Sequence, residues 1–103
     1  MSALIWCPFP DESSARQVAT RLLDERLIAC ANFVTVTSLF DWDGERGQSQ
    51  EVAVLFKTDA ALLEQAVAAT EAAHPYDTPA VLGWRCDVAG QSTARWLGDL
   101  VPR

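Results

Sequence analysis

The order of periodicities along the chain predicts an α+β fold of the ferredoxin-like type. This is a β-α-β-β-α-β antiparallel sheet with two helices on one face, plus a short C-terminal helix. Three observations predict it. Residues 15–23 and 62–70 repeat apolar side chains at helical spacing. Between them lie two runs dense in β-branched and aromatic residues, separated by turn residues. An apolar run opens the chain and another follows the second helix, so strands flank each helix. The 103 residues suit one domain, residues 1–103.

Leu4 to Cys7 reads as a buried first strand, which Pro8 and Pro10 are expected to end. Asp11 offers an N-cap, and Glu12 puts negative charge in the first helical turn. Ala15, Val18, Ala19, Leu22 and Leu23 then share one face, carrying the first helix to about Leu27. Residues 33–40 and 51–57 are the second and third strands, with Val52, Val54 and Phe56 alternating against Glu51, Ala53 and Lys57. Asp43-Gly44 and Gly47 supply turn chemistry for a hairpin, although the polar connection is longer than two residues. Asp59 caps the second helix, whose stripe is Leu62, Leu63, Ala66, Val67 and Thr70. Pro75 disfavours helical geometry at His74, so that helix ends near His74. Residues 80–88 read as the fourth strand, and residues 93–100 as the closing helix with Trp96, Leu97 and Leu100 turned inward. Right-handed crossovers put both long helices on one face of the sheet. A strand over 33–40 left at an edge needs cover, which predicts a homo-oligomer.

The net charge of −6, with no Lys/Arg cluster to offset it, repels phosphate backbones and argues against a nucleic-acid partner. Cys7, Cys30 and Cys86 are odd in number and lack CxxC spacing, which fits a reducing compartment better than a disulfide framework. The apolar N-terminus has no basic start and soon meets Pro8, Pro10, Asp11 and Glu12, unlike a signal peptide. No run approaches the ~18 apolar residues of a membrane span. A cytoplasmic location with no membrane partner is therefore expected.

Chemistry-bearing residues are few. His74, the only histidine, sits in Ala73-His74-Pro75-Tyr76-Asp77-Thr78-Pro79. It reads either as a helix-terminal residue bonded to the last carbonyls or as a ligand where helix, loop and strand meet. Cys30 lies in an apolar Ala-Cys-Ala setting, and Cys86 is in phase with Leu82 and Trp84, so both read as core. Glu51 and Lys57 share a strand face by parity, which suits an ion pair. Trp42 reads as an interface anchor or a cleft wall. There is no nucleophile elbow, phosphate loop or carboxylate pair, so an enzyme is not expected.

The ordered set Arg26-Leu27-Ile28-Ala29-Cys30-Ala31-Asn32, Trp42-Asp43-Gly44, Glu51 with Lys57-Thr58, and His74-Pro75-Tyr76-Asp77-Thr78-Pro79 resembles the CutA family of divalent-cation tolerance proteins. Cys7-Pro8-Phe9-Pro10-Asp11-Glu12 and Trp96 resemble further family positions, so the likeness spans nearly the whole chain. The resemblance implies a homotrimer of ferredoxin-like subunits, similar in architecture to P-II signalling proteins. It implies intersubunit clefts lined here by Trp42, Glu51, Lys57, Tyr76 and Asp77. Phe40, Asp77 and Ala80 depart from the family's usual Tyr, Glu and Glu, and Ala73 from a second His of some members, and each change removes or shortens a polar group.

Two functions follow as expectations. In the first, a homotrimer binds divalent metal, copper foremost, through Cys7 and His74, for sequestration or sensing. Thiolate suits Cu(I) and imidazole suits Cu(II), but two ligands fall short of the three or four of a tight centre, which favours weak binding. In the second, a P-II-like trimeric scaffold takes a small metabolite or partner protein in its intersubunit clefts.

Overall fold

A computed structural model describes residues 1–103. The chain forms β1 (Ser2–Phe9), α1 (Glu12–Asp24), β2 (Cys30–Trp42), β3 (Glu45–Asp59), a 3-10 turn (Ala60–Leu62), α2 (Leu63–Ala73), β4 (Leu82–Arg85) and α3 (Gln91–Gly98). The sheet order is β2-β3-β1-β4, and each adjacent pair is antiparallel. This is the expected ferredoxin-like arrangement. Ala15, Val18, Ala19 and Leu22 of α1 and Leu63 and Ala66 of α2 close one core with Ala3, Ile5, Cys7, Phe9, Val54 and Phe56 of the sheet. Leu97 and Leu100 are also buried but lie outside that core, where α3 rests on β1 and β3.

Several boundaries differ from expectation, each for a local reason. β1 continues through Pro8 to Phe9. β4 pairs only with Ala3 to Trp6, so beyond Trp6 that flank of β1 has no ladder for Pro8 to interrupt. α1 stops at Asp24 and not near Leu27, because Arg26 enters the left-handed region at φ 58. The Leu27 N–H then reaches Leu22 O at 2.9 Å and the Arg26 N–H reaches Leu23 O at 3.0 Å. That is a Schellman ending without its usual glycine. Asp11 caps the N-terminus as expected, accepting from the Ser14 N–H at 2.8 Å, and this bond holds its carboxyl below the usual range. Asp59 accepts from the Ala61 N–H and so caps the 3-10 turn that leads into α2.

The hairpin is longer than its apolar content suggests. Trp42 pairs with Glu45, so the loop is Asp43-Gly44 alone, at φ 54 and 79. Those angles make the primed turn that matches strand twist. The polar residues 45–50, read from sequence as connection, are strand. With thirteen residues in β2, an arm of about 40 Å results, comparable to the 46 Å long axis of the molecule.

The apolar phase of β4 is reversed from expectation. All four residues of β4 are exposed, Leu82 and Trp84 by 63% and 44%, and it is at Gly83 that an added Cβ would meet Leu63, Val67 and Ile5. An added Cβ at Gly83 would stand 2.9 Å from Leu63 Cδ1, so close approach of α2 requires the glycine. Cys86 is only half-buried beyond the strand end, and Cys30 is half-buried on edge strand β2; neither belongs to the core. Leu23 and Trp96 are exposed, while Leu97 and Leu100 turn inward.

Candidate functional site

Three segments converge at the end of β1: Pro8 itself, the loop after α2, and the middle of the β2–β3 arm. The loop begins where α2 ends, at His74, whose φ −70 and ψ 142 are the extended geometry that a following proline imposes. The imidazole turns inward, only 8% exposed, and stacks on Phe9 at a ring-centroid distance of 4.3 Å. Its Nδ1 accepts from the Tyr76 N–H at 3.1 Å, which assigns the proton to Nε2, 2.8 Å from Pro8 O. The ring therefore donates to β1 and accepts from its own loop. Both nitrogens are engaged.

Cys7 meets His74 on the same acceptor. Its Sγ lies 3.8 Å from Pro8 O, so thiol and imidazole both converge on one carbonyl. The sulfur is fully buried, and burial, with the charge of Glu51 as a lesser cause, pushes its pKa up to about 12. No group of three or more His, Cys, Asp and Glu side chains is arranged to hold a metal ion. A metal on this pair would have to replace the thiol proton and shift the ring proton of His74 from Nε2 to Nδ1, which breaks both of the ring's hydrogen bonds.

Tyr76 ties the loop to the arm. Its hydroxyl donates to Glu51 Oε2 at 2.9 Å, and its ring tilts against His74 at 4.9 Å. Burial, then this bond, then the charges of Glu51 and Asp11 push the phenol up to about 12. Glu51 is 9% exposed. Beside this pair opens a cavity of about 940 Å³, walled by Phe40, Trp42 and Tyr76, with Asp41, Glu51 and Asp77 among its lining. Asp41 is paired with Arg46.

Of the expected cleft residues, Trp42, Glu51, Tyr76 and Asp77 meet at this cavity. Lys57 does not join them within one chain. It pairs with Leu4 and Cys30, six residues along β3 from Glu51, about 20 Å at the strand rise. Sequence reading missed Pro8 as the shared acceptor, Phe9 as the stacking platform, and Ser38 as a wall residue; Phe40, singled out there for its lost hydroxyl, does line the cavity. For Ser38 a signal existed, since it shares strand parity with Phe40 and Trp42. Pro8 and Phe9 stood in a family-like turn, but nothing local marked their contacts with His74.

Fold and site together define a ferredoxin-like α+β protein with a long hairpin arm and a lateral cleft behind a His-Pro-Tyr loop. The family model for the CutA1 divalent ion tolerance protein matches residues 3–99, and the chain belongs to that family. The divalent-cation tolerance protein CutA of Pyrococcus horikoshii is 35% identical over 94 residues, covering 91% of this chain and 92% of its own. That of Thermotoga maritima is 33% identical over 98 residues, covering 95% and 97%. Among solved structures, the divalent ion tolerance protein CutA1 of Ehrlichia chaffeensis superposes with a TM-score of 0.90 at 32% identity, covering 96% of this chain and 94% of its own. The Archaeoglobus fulgidus protein, described as periplasmic, gives 0.91 at 26% identity, covering 97% and 98%. The family is named for tolerance of divalent ions and not for a reaction. No helix of this chain is long and apolar enough to cross a membrane.

Proposed function

We propose that this chain acts in divalent-cation tolerance as a non-enzymatic, cytoplasmic homotrimer that binds divalent metal weakly, copper foremost, for sequestration or sensing. The observation that carries the metal reading is the convergence of Cys7 Sγ and His74 Nε2 on Pro8 O, in a chain of a family named for divalent-ion tolerance. A copper ion that displaced the thiol proton, with the ring proton of His74 shifted from Nε2 to Nδ1, would find one thiolate and one imidazole, a soft and a borderline donor. The ions have to compete with a thiol held at about pKa 12 and with the bonds of His74, which favours weak uptake. The trimer is supported by exposed apolar side chains on the arm and β4, among them Leu39, Trp42, Leu82 and Trp84. The cytoplasmic location is supported by three free cysteines.

Native mass spectrometry of the thiol-reduced chain, titrated with Cu(II), tests the proposal. A trimer that takes up one copper per subunit, and loses it in Cys7→Ser and in His74→Ala, is the expected result. Copper uptake unchanged in both variants sinks the pair, and a monomer sinks the assembly.

A second reading is favoured by the cavity beside Glu51. Its size is that of a small-molecule site, and the aromatic walls of Phe40, Trp42 and Tyr76 are a usual lining of one. In that reading the trimer is a scaffold for a small metabolite or partner, and Trp42, Glu51, Lys57, Tyr76 and Asp77 matter more than Cys7.

A further inference from the structure

Cys7 is 0% exposed, yet its cover is not uniform. On one flank it pairs with Val54 of β3, and its side chain belongs to the core that α1 and α2 close. On the other flank the β4 ladder ends at the Trp6–Leu82 pair. From there the cover is residues 74–81, the segment between α2 and β4. His74 reaches Pro8 O in place of a ladder bond. Cover by helix and sheet is lost only with the fold, whereas an irregular segment can open alone.

Few bonds hold the segment. Outside the helices and strands its only backbone–backbone bond is the His74 N–H to Glu71 O, at 3.4 Å. Two side-chain bonds tie it to the sheet, His74 Nε2 to Pro8 O at 2.8 Å and Tyr76 Oη to Glu51 Oε2 at 2.9 Å. The rings lie in series: Tyr76 tilts on His74 at 4.9 Å, and His74 stacks on Phe9 at 4.3 Å. Exposure falls inward along the same path, from 38% at Tyr76 to 8% at His74 and 0% at Cys7. Further copies of the chain packed on this face can only deepen that burial. The Tyr76 bond is intrachain and its acceptor is a carboxylate, the stronger kind of hydrogen bond.

We propose that residues 74–81 are a lid over Cys7 and His74, and that the Tyr76–Glu51 bond is its latch. When the latch parts, Tyr76 swings off His74, its N–H leaves Nδ1, and imidazole and thiol gain access to solvent. Val81, packed against the core, bounds the movement at one end, and α2 bounds it at the other. The lid regulates entry to the Cys7–His74 pair, whose use by a metal ion rests on the copper reading above. An ion then binds there no faster than the lid opens.

The test is the alkylation rate of Cys7, followed by peptide mapping over hours in excess iodoacetamide at pH 8, after Cys30 and Cys86 have reacted. That rate reports how often Cys7 is uncovered. Tyr76→Phe removes the latch and should raise it about fivefold. Thr58→Val, at the other end of the β1–β3 ladder opposite Ala3, weakens the whole fold and should leave the rate unchanged. Acceleration in Thr58→Val means that Cys7 is uncovered by global unfolding, and no acceleration in Tyr76→Phe means that the bond latches nothing; either result overturns the proposal. In the unsubstituted chain the rate should be nearly flat at low urea, because a loop opening exposes little surface. A slope equal to that of global unfolding overturns the lid even if Tyr76→Phe fails to fold. Copper takes no part here, so absent copper uptake sinks the metal reading alone, and failure of this test sinks the lid alone.

Discussion

Tyr76 Oη donates to Glu51 Oε2 at 2.9 Å, and this one bond fastens the loop after α2 to the hairpin arm. It joins residues 25 positions apart and belongs to neither the sheet ladder nor the helix core. Tyr76→Phe keeps the ring against His74 and removes only the hydroxyl. A loss of about 1 kcal/mol is expected, at the low end for a bond to a carboxylate because the ring is 38% exposed. The urea midpoint measures it, and no change would mean the bond contributes nothing to stability.

The same bond has a pH signature. Tyr76 is the only tyrosine, so absorbance near 295 nm reports it alone. Its phenol is raised from 10 to about 12, chiefly by burial, then by the bond and charge of Glu51. The folded state therefore prefers the protonated phenol, and its contribution is full below pH 10 and disappears as pH rises through 12. Phenolate should appear only above about pH 11 in the native chain, and near pH 10 after unfolding in urea. Native ionisation centred on 10 would contradict the geometry.

Cys7 should be the slow thiol. It is buried and held at about 12, whereas Cys30 and Cys86 are half-exposed. Alkylation with iodoacetamide at pH 8 is expected to modify Cys30 and Cys86 and to spare Cys7 until the chain is unfolded. Peptide mapping gives the answer directly; fast modification of Cys7 would mean that the end of β1 opens readily.

Thr58 anchors β3 to the turn between α1 and β2. Its side chain is fully buried and its Oγ1 donates to Leu27 O at 2.7 Å. Thr58→Val preserves shape but leaves a carbonyl unpaired, which costs about 1–3 kcal/mol. Thermal unfolding should show a drop of several degrees, and Thr58→Ser should recover part of it.

Gly83 should tolerate little. A methyl group there meets Leu63 Cδ1 at 2.9 Å and Val67 Cγ2 at 3.0 Å, ends of side chains that can give slightly. Gly83→Ala is expected to cost about 1 kcal/mol, and Gly83→Val, which must displace α2, about 3 kcal/mol. Equal stability of the two variants would mean that α2 does not press on β4.

Element order was legible because two helical stripes and a hairpin leave few topologies, and Ala15, Val18, Ala19, Leu22, Leu63 and Ala66 are buried as their spacing predicts. The failures have local causes. Gln48, Ser49 and Gln50 look like connection because the arm runs beyond the helix core, where a strand needs no apolar face. Leu82 and Trp84 look inward because they are large, yet the position that faces α2 is Gly83, where the helix lies too close for a side chain. At the site, sequence supplied the residues but not their partners. Only folding brings Pro8 O to both Cys7 and His74, or Tyr76 to Glu51.

The two-residue turn at Asp43-Gly44 also bears on the order of assembly during folding. From Trp42↔Glu45 outward to Cys30↔Lys57, each added rung of the β2–β3 ladder closes only a slightly larger loop. β1 must instead find β3 across some fifty residues and β4 across some eighty, each at a greater entropic cost before any reward. We expect the arm to zip early and β4 to dock last, so substitutions at Val36 or Gln50 should slow refolding while Gly83→Ala mainly speeds unfolding. The segment farthest from the hydrophobic core would then be the first to find its partner.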